Sequence, residues 1–172
     1  GWSYLGDVTN NVVKISLGSV GGIVAGGYTI GKGAEGNTVE LSGTADVSGN
    51  IYGGYALHQM DNPLTGEAAA CDASQNTVKI SDVTVKGEVY GGYTAEGTTS
   101  NDATGNAVTI ESGTIEKTVY GGYTADGTAS KNTVTINGGT VGVADSTESS
   151  DTVFGGYSAS GEAVSNILTV SG

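Results

Sequence analysis

Residues 106–127, Asn-Ala-Val-Thr-Ile-Glu-Ser-Gly-Thr-Ile-Glu-Lys-Thr-Val-Tyr-Gly-Gly-Tyr-Thr-Ala-Asp-Gly, contain both sequence elements that decide the fold. The first element is Asn-x-Val-x-Ile, in which Val108 and Ile110 alternate with polar residues, as in a strand with one buried face. The second is Gly-Gly-Tyr, which ends at Tyr123. Both elements recur along the 172-residue chain, so the fold is best explained as a stack of repeats.

The two elements alternate strictly and define a repeat of 26 residues. From the asparagine to the first glycine of the next Gly-Gly-Tyr is 15 residues in three units (for example 11 to 26), and from that glycine to the next asparagine is 11 in three cases (for example 26 to 37). Trp2 precedes Asn11 by nine residues, as Tyr28 precedes Asn37, so we expect Trp2 to take the place of the repeat tyrosine.

The repeat predicts an all-β fold, a parallel β-helix (β-solenoid) of about six coils that forms one segment over residues 1–172 of a longer repeat protein. Stacked coils place equivalent residues in columns about 4.8 Å apart. We expect two core columns, with Val13 as an alternative to Val12 in the first coil: Val12/Val39/Val78/Val108/Val134 and Ile15/Leu41/Ile80/Ile110/Ile136. The small polar segment 124–131 is expected to form an outer turn.

Charge and composition exclude several classes of function. The chain has 18 acidic residues against six lysines and no arginine, a net charge of −12. Binding to nucleic acid or to an anionic membrane surface needs a basic surface, so neither partner is expected. No stretch is long and apolar enough to insert in a membrane. The acidity is best explained as a solvated coat, in preference to scattered Ca²⁺ sites.

Three further patterns are predicted to be structural, although each also fits a binding role. The asparagines are expected to stack as an amide ladder rather than ligate a metal. The repeat tyrosines, with Trp2, are expected to form an aromatic column rather than a carbohydrate-stacking platform, beside a second column of Tyr52, Tyr90, Tyr120 and Phe154 that Ala25 interrupts. The double glycine is expected to mark a tight bend or a close approach between coils rather than an anion nest. The ladder residues are Asn11, Asn37, Asn76, Asn106, Asn132, Asn166, Tyr28, Tyr55, Tyr93, Tyr123 and Tyr157.

Insertions interrupt the repeat at three places, and the largest, at about residues 57–73, is the candidate interaction loop. It holds the only histidine, methionine, proline and cysteine of the chain: His58, Met60, Pro63 and Cys71. Irregular loops on rigid scaffolds often carry function, so we predict a protruding docking loop. A soft-metal site of His58, Met60 and Cys71 is the weaker alternative because these residues lack a ligand spacing. The other insertions extend residues 96–105 and 143–151.

The alternation of Asn-x-Val-x-Ile with Val-Tyr-Gly-Gly-Tyr-Thr-Ala-x-Gly, as in residues 106–127, resembles the passenger repeats of bacterial autotransporters, secreted by the type V route. The resemblance implies a bacterial surface protein, anchored in the outer membrane through a region outside this sequence. It also implies that the passenger acts in adhesion, aggregation or biofilm formation. The partner would be a host-cell or matrix protein or glycan, or a second copy.

The leading hypothesis is therefore a structural and adhesive rod that presents loops at the cell surface. A self-assembling extracellular fibre or surface-layer element is the alternative, since open coil ends expose unpaired strands. A β-helix enzyme that degrades polysaccharides is disfavoured, because arginine is absent and His58 is the only histidine. We expect no enzymatic activity, no cofactor and no bound metal ion in this segment.

Overall fold

The computed structural model of the chain describes residues 1–57, 70–96, 101–142 and 152–172. These residues form strands and turns without a helix, and the parallel strands stack as a β-solenoid of about five turns. The predicted fold class is therefore confirmed, and the predicted number of coils, about six, is close.

Short strands of Val, Ile, Thr and Tyr follow one another along each coil, separated by glycines and polar corners. The strands of the described residues are β1 (Trp2–Tyr4), β2 (Val8–Thr9), β3 (Val12–Val20), β4 (Val24–Ile30), β5 (Ala34–Glu35), β6 (Thr38–Val47), β7 (Ile51–Leu57), β8 (Ala73–Ser74), β9 (Thr77–Ile80), β10 (Val83–Val85), β11 (Val89–Thr94), β12 (Ala103–Thr104), β13 (Ala107–Ile110), β14 (Gly113–Ile115), β15 (Val119–Thr124), β16 (Ala129–Ser130), β17 (Thr133–Ile136), β18 (Thr140–Val141), β19 (Val153–Phe154), β20 (Tyr157–Ser158), β21 (Ala163–Val164) and β22 (Ile167–Val170).

Each coil contributes to three parallel sheets. The tyrosine sheet runs β1-β4-β7-β11-β15-β19, with β20 also paired to β15. The alanine sheet runs β2-β5-β8-β12-β16-β21. The valine sheet runs β18-β14-β10-β6-β9-β13-β17-β22, with β3 paired to β6. In the first two coils one long strand crosses the valine sheet, and in later coils two short strands replace it.

Strand register follows the sequence repeat. Trp2 pairs with Tyr28, which shows that Trp2 occupies the position of the repeat tyrosine. The second unit is one residue longer than the first between asparagine and Gly-Gly-Tyr, and its extra residue lies in β6. There the pairing passes from Ile15↔Leu41 to Leu17↔Thr44, a bulge that contains Gly43 with φ of 66°. Glycine adopts this backbone conformation without the steric cost that other residues incur.

The core consists of branched aliphatic side chains stacked in columns. Val39, Val78, Val108 and Val134 are fully buried, and so are Ile80 and Ile110 in the neighbouring column. The assignment of Val12 to the first of these columns was wrong, and Val13 takes that place. Val13 pairs with Val39, because it follows Asn11 by two residues as Val39 follows Asn37, and strand alternation then leaves Val12 57 % exposed on the outer side.

The segment 124–131 is not an outer turn throughout, as the sequence predicted. It contains β16, whose Ala129 is fully buried in the alanine sheet together with Ala34, Ala73 and Ala103. A strand of two residues with an alanine and a hydroxyl side chain has none of the usual composition of a strand. The available signal was positional, since Val8 or an alanine stands three residues before every ladder asparagine.

Candidate functional site

The asparagines of the repeat form a continuous ladder at the corner where the alanine sheet passes into the valine sheet. Asn37, Asn76, Asn106 and Asn132 are buried. Each side-chain oxygen accepts two hydrogen bonds from the asparagine of the preceding coil. In the pair Asn76–Asn106 the backbone N–H and the side-chain amide of Asn76 both lie 3.0 Å from Oδ1 of Asn106. The same pairs join the other levels, from Asn11 to Asn166.

The second N–H of each ladder amide binds a backbone carbonyl of the alanine sheet. Asn106 Nδ2 lies 2.8 Å from the carbonyl of Ala73, and Asn132 Nδ2 lies 2.8 Å from that of Ala103. The interior asparagines thus use both donors and both acceptor positions of the side-chain amide. This arrangement makes the ladder a structural element, since no lone pair or N–H is left for a ligand.

The double glycine lies against this ladder. A Cβ atom added to Gly92 would be 2.5 Å from Cγ of Asn106, and one added to Gly91 would meet the carbonyl oxygen of Gly121 in the next coil. Both glycines therefore face inward and allow a close approach between coils, which is one of the two roles that the sequence predicted. Two consecutive inward residues interrupt strand alternation, so the tyrosines before and after them, such as Tyr90 and Tyr93, share the outer side.

These outward rings form a surface that we call the tyrosine face. It consists of two adjacent columns, Tyr28/Tyr55/Tyr93/Tyr123/Tyr157 and Tyr52/Tyr90/Tyr120/Phe154. Rings of the second column stack in parallel, with centroids 5.0 Å apart for Tyr52–Tyr90 and 4.9 Å for Tyr90–Tyr120. Across the columns most rings meet at steep angles, for example 82° between Tyr90 and Tyr93. The result is a contiguous herringbone of aromatic rings along the rod.

Burial within the tyrosine face changes the acidity of its phenols. It raises the pKa of Tyr93 to about 12, and it raises the pKa of Tyr52, Tyr55, Tyr120 and Tyr123 as well. The physical cause is that a phenolate loses hydration among neighbouring rings. At neutral pH the tyrosine face is therefore an uncharged, partly exposed aromatic surface on a strongly acidic chain.

A polar cluster borders the second aromatic column and was not predicted from the sequence. Tyr90 Oη donates a hydrogen bond of 2.7 Å to Oε2 of Glu88, and Asn50 Nδ2 lies 3.2 Å from Tyr52 Oη. Asn50 also accepts a bond from the backbone N–H of Glu88 at 2.9 Å. The signal was available, because Asn50 and Glu88 each stand two residues before a column aromatic and so share its side of the strand.

The residues of the predicted interaction loop are only partly described. His58, Met60 and Pro63 lie outside the described residues, as do the insertion residues 97–100 and 143–151. Cys71 is 1 % exposed and packs in a small cluster with Ala34 and Ala56. A buried thiol in apolar surroundings behaves as a small hydrophobic side chain. The docking loop and the soft-metal alternative stay predictions.

The geometry defines a β-solenoid repeat protein with one aromatic face. No family model, no curated protein and no solved structure matches the chain. Within the described residues no group of three or more His, Cys, Asp or Glu side chains is arranged to hold a metal ion. A search of the same part of the chain for a helix long and apolar enough to cross a membrane found none.

Proposed function

We propose that this chain is a structural and adhesive rod of a bacterial cell-surface protein, and that the tyrosine face is its described interaction surface. The observation that carries this proposal is the contiguous double column of aromatic rings on the outer side of one sheet. Tyrosine supplies a large, rigid contact area with a polar tip and is enriched at interfaces for that reason. The resemblance to autotransporter passengers supports placing the rod outside the cell, anchored by another region.

The partner best suited to this surface is a host-cell or matrix protein or glycan, since both ligand classes offer flat apolar patches edged with hydroxyl groups. The acidic charge disfavours nucleic acid and anionic lipid. We also propose that the segment has no enzymatic activity, cofactor or metal ion, because the chain lacks arginine and has a single histidine. We propose the loop at 57–73 as a second contact in addition to the tyrosine face.

Binding of the labelled chain to a glycan array and to host-type cells tests the proposal. Two variants separate the surfaces: Tyr93→Thr with Tyr123→Thr on the tyrosine face, and residues 57–73 replaced by residues 125–129, which occupy the equivalent positions of a later coil. The matched control carries Thr109→Ala and Thr135→Ala on the outer side of the valine sheet. We expect the control to bind as the wild type does and the tyrosine variant to bind about tenfold more weakly.

Circular dichroism establishes that all four proteins keep the same β spectrum. Weaker binding by the loop variant alone would move the recognition site from the tyrosine face to residues 57–73. Equal binding by every variant, or binding by none, would contradict the adhesive role of the described surface.

A further inference from the structure

Tyr90 combines a carboxylate partner with two stacked rings. Its hydroxyl donates to Glu88 Oε2 at 2.7 Å, a distance typical of a charge-assisted bond. Its ring lies between those of Tyr52 and Tyr120, within 4° of parallel to each. The residue is only 6 % exposed, so solvent has little access to the phenol.

This arrangement favours the loss of an electron together with a proton. One-electron oxidation turns a phenol into a strong acid, and the oxidation is efficient only if a nearby base takes the phenolic proton. Glu88 Oε2 is such a base at hydrogen-bond distance, which is the geometric requirement for positioned proton transfer. The stacked rings of Tyr52 and Tyr120 stabilise the electron-poor ring of Tyr90 while the proton moves.

We propose that Tyr90 and Glu88 form a site of one-electron oxidation. An oxidant of the peroxidase-haem or metal-complex class takes an electron from the tyrosine face, and Tyr90 becomes the tyrosyl radical. Tyr90 gives one electron to the oxidant, whose oxidation state falls by one. The phenolic proton of Tyr90 passes to the Glu88 carboxylate. The products are a neutral tyrosyl radical and a neutral carboxylic acid that remain hydrogen-bonded. No bond between heavy atoms forms or breaks, and the activity is independent of adhesion.

The tyrosine face supplies the route for the electron, because the oxidant needs to contact only its partly exposed rings. Ring centroids are 5.3 Å apart for Tyr157–Tyr123, 4.9 Å for Tyr123–Tyr93 and 5.1 Å for Tyr93–Tyr90. An outer tyrosine that is oxidised releases its phenolic proton to water and takes one back when an electron from Tyr90 reduces it again, so the radical settles at Tyr90, whose proton has passed to Glu88. The face thus collects oxidation at its surface and retains it at Tyr90.

Acidity supports the coupling of the two transfers. Burial is the larger cause and the hydrogen bond to Glu88 the next in raising the pKa of Tyr90. This residue is therefore a neutral phenol throughout the physiological range. The titratable groups that face it are Glu88 and Tyr93 on the same segment, Tyr52 on β7, and Tyr120 and Tyr123 on β15. The four tyrosines are uncharged at neutral pH, which leaves Glu88 as the proton acceptor among these groups.

Flash oxidation tests the site. A ruthenium(III) complex generated by a light pulse oxidises the chain, and transient absorption follows the tyrosyl radical. In the wild type we expect a fast phase whose rate does not depend on buffer concentration, because the phenolic proton passes to Glu88 within the protein. In Glu88→Gln, whose amide still accepts a hydrogen bond, this phase slows about 100-fold at low buffer concentration, the lower range for a positioned proton acceptor.

Two further variants make the outcome decisive. Tyr90→Phe should lose the fast phase and keep slow radical formation at other tyrosines, whereas Glu116→Gln, a carboxylate in the corner after β14, should leave the fast phase unchanged. A fast phase that persists in Glu88→Gln or in Tyr90→Phe would overturn the proposal. If Glu88→Gln does not keep the native β spectrum, buffer dependence in the wild type decides, since a rate that rises with buffer base contradicts an internal acceptor.

Discussion

At the scale of single residues, asparagine and glycine require each other in this fold. The ladder amide needs an acceptor in the next coil, a donor in the previous coil and a carbonyl of the alanine sheet, all within one corner. Asn106 finds them in Asn132, Asn76 and Ala73. Room for this amide exists only because Gly92 has no side chain. A buried amide that is fully bonded also fixes the register between coils, since a slip by one residue would leave it unpaired.

The substitution Asn106→Ala is expected to destabilise the chain by about 3 kcal/mol, because it leaves two buried donors of Asn76 without an acceptor. Asn11→Ala is the matched control: Asn11 donates to Asn37 but accepts from no other ladder asparagine in the described residues. We expect about 1 kcal/mol for the control. Urea unfolding followed by circular dichroism measures both values. Equal losses at the two positions would contradict the role assigned to the buried acceptor.

Spacing alone predicted which asparagines and tyrosines share a column, because a repeat in a stacked fold converts sequence distance into spatial register. Repeat spacing did not predict the polar contacts of Tyr90. Its bond to Glu88 depends on one unit having a carboxylate where another has Asn50, and that difference emerges only when the units are compared residue by residue. Likewise, the burial of Cys71 depends on Ala56, a residue that breaks the hydroxyl series of the tyrosine sheet at a position paired with Thr29 and Thr94.

At the scale of secondary-structure elements, the tyrosine sheet is stabilised by contacts between identical positions of successive strands. Stacked or edge-to-face aromatic pairs contribute about 0.5–1.5 kcal/mol each beyond the burial of their area. Tyr93 has such contacts with Tyr55 on one side, Tyr123 on the other, and Tyr90 on its own strand. Interior strands therefore gain more from the tyrosine face than end strands do.

The raised pKa values of the tyrosine face predict alkaline unfolding. Unfolded tyrosines ionise near pH 10, whereas Tyr93 in the folded chain has a pKa of about 12. The folded state therefore holds more protons in this window. The stability that the protonated phenol of Tyr93 contributes is fully present below pH 10 and is lost as pH rises toward 12. Urea midpoints measured from neutral pH to about pH 11, together with phenolate absorbance, should show stability falling as the phenols ionise.

Tyr93→Phe provides the control for this titration. A phenylalanine keeps the ring stack but has no proton to release, so the decrease in stability between neutral and alkaline pH should be smaller than in the wild type. An unchanged decrease would mean that alkaline unfolding arises from other groups, such as the lysines.

The three sheets were not equally predictable from the sequence. The valine and tyrosine sheets have β-branched and aromatic residues that alternate with polar ones or frame glycines, and both were anticipated. The alanine sheet was not, because pairs such as Ala103-Thr104 and Ala129-Ser130 resemble turn sequences. Four of these alanines are fully buried, and Val8 takes the equivalent position in the first coil. The sheet was therefore recognisable only by the fixed distance of this position from the ladder asparagine, and not by its composition.

At the scale of the whole molecule, the solenoid is a one-dimensional stack in which each coil contacts mainly the coil before and the coil after it. Most of its hydrogen bonds join residues separated by one repeat, as in Thr133 to Asn106 and Ala107 to Asn76. Insertions leave the stack intact because all three fall at corners between sheets, before β8, before β12 and before β19. Such a rod tolerates variation in its loops and in its length, which suits the adhesive role that we propose.

Removal of one entire repeat, residues 106–131, should therefore leave a folded protein. The coil that begins at Asn76 then meets the coil that begins at Asn132 in the same register, so that Val78 faces Val134 as it now faces Val108. Because 26 of the 172 residues are lost, the urea m-value should fall by about 15 % while unfolding stays cooperative. Removal of only residues 106–118 deletes fewer residues but takes out one ladder asparagine and its valine-sheet strands, and it should destabilise the chain far more. A stack of interchangeable coils requires that order of stabilities, and the reverse order would show that the chain folds as one indivisible domain.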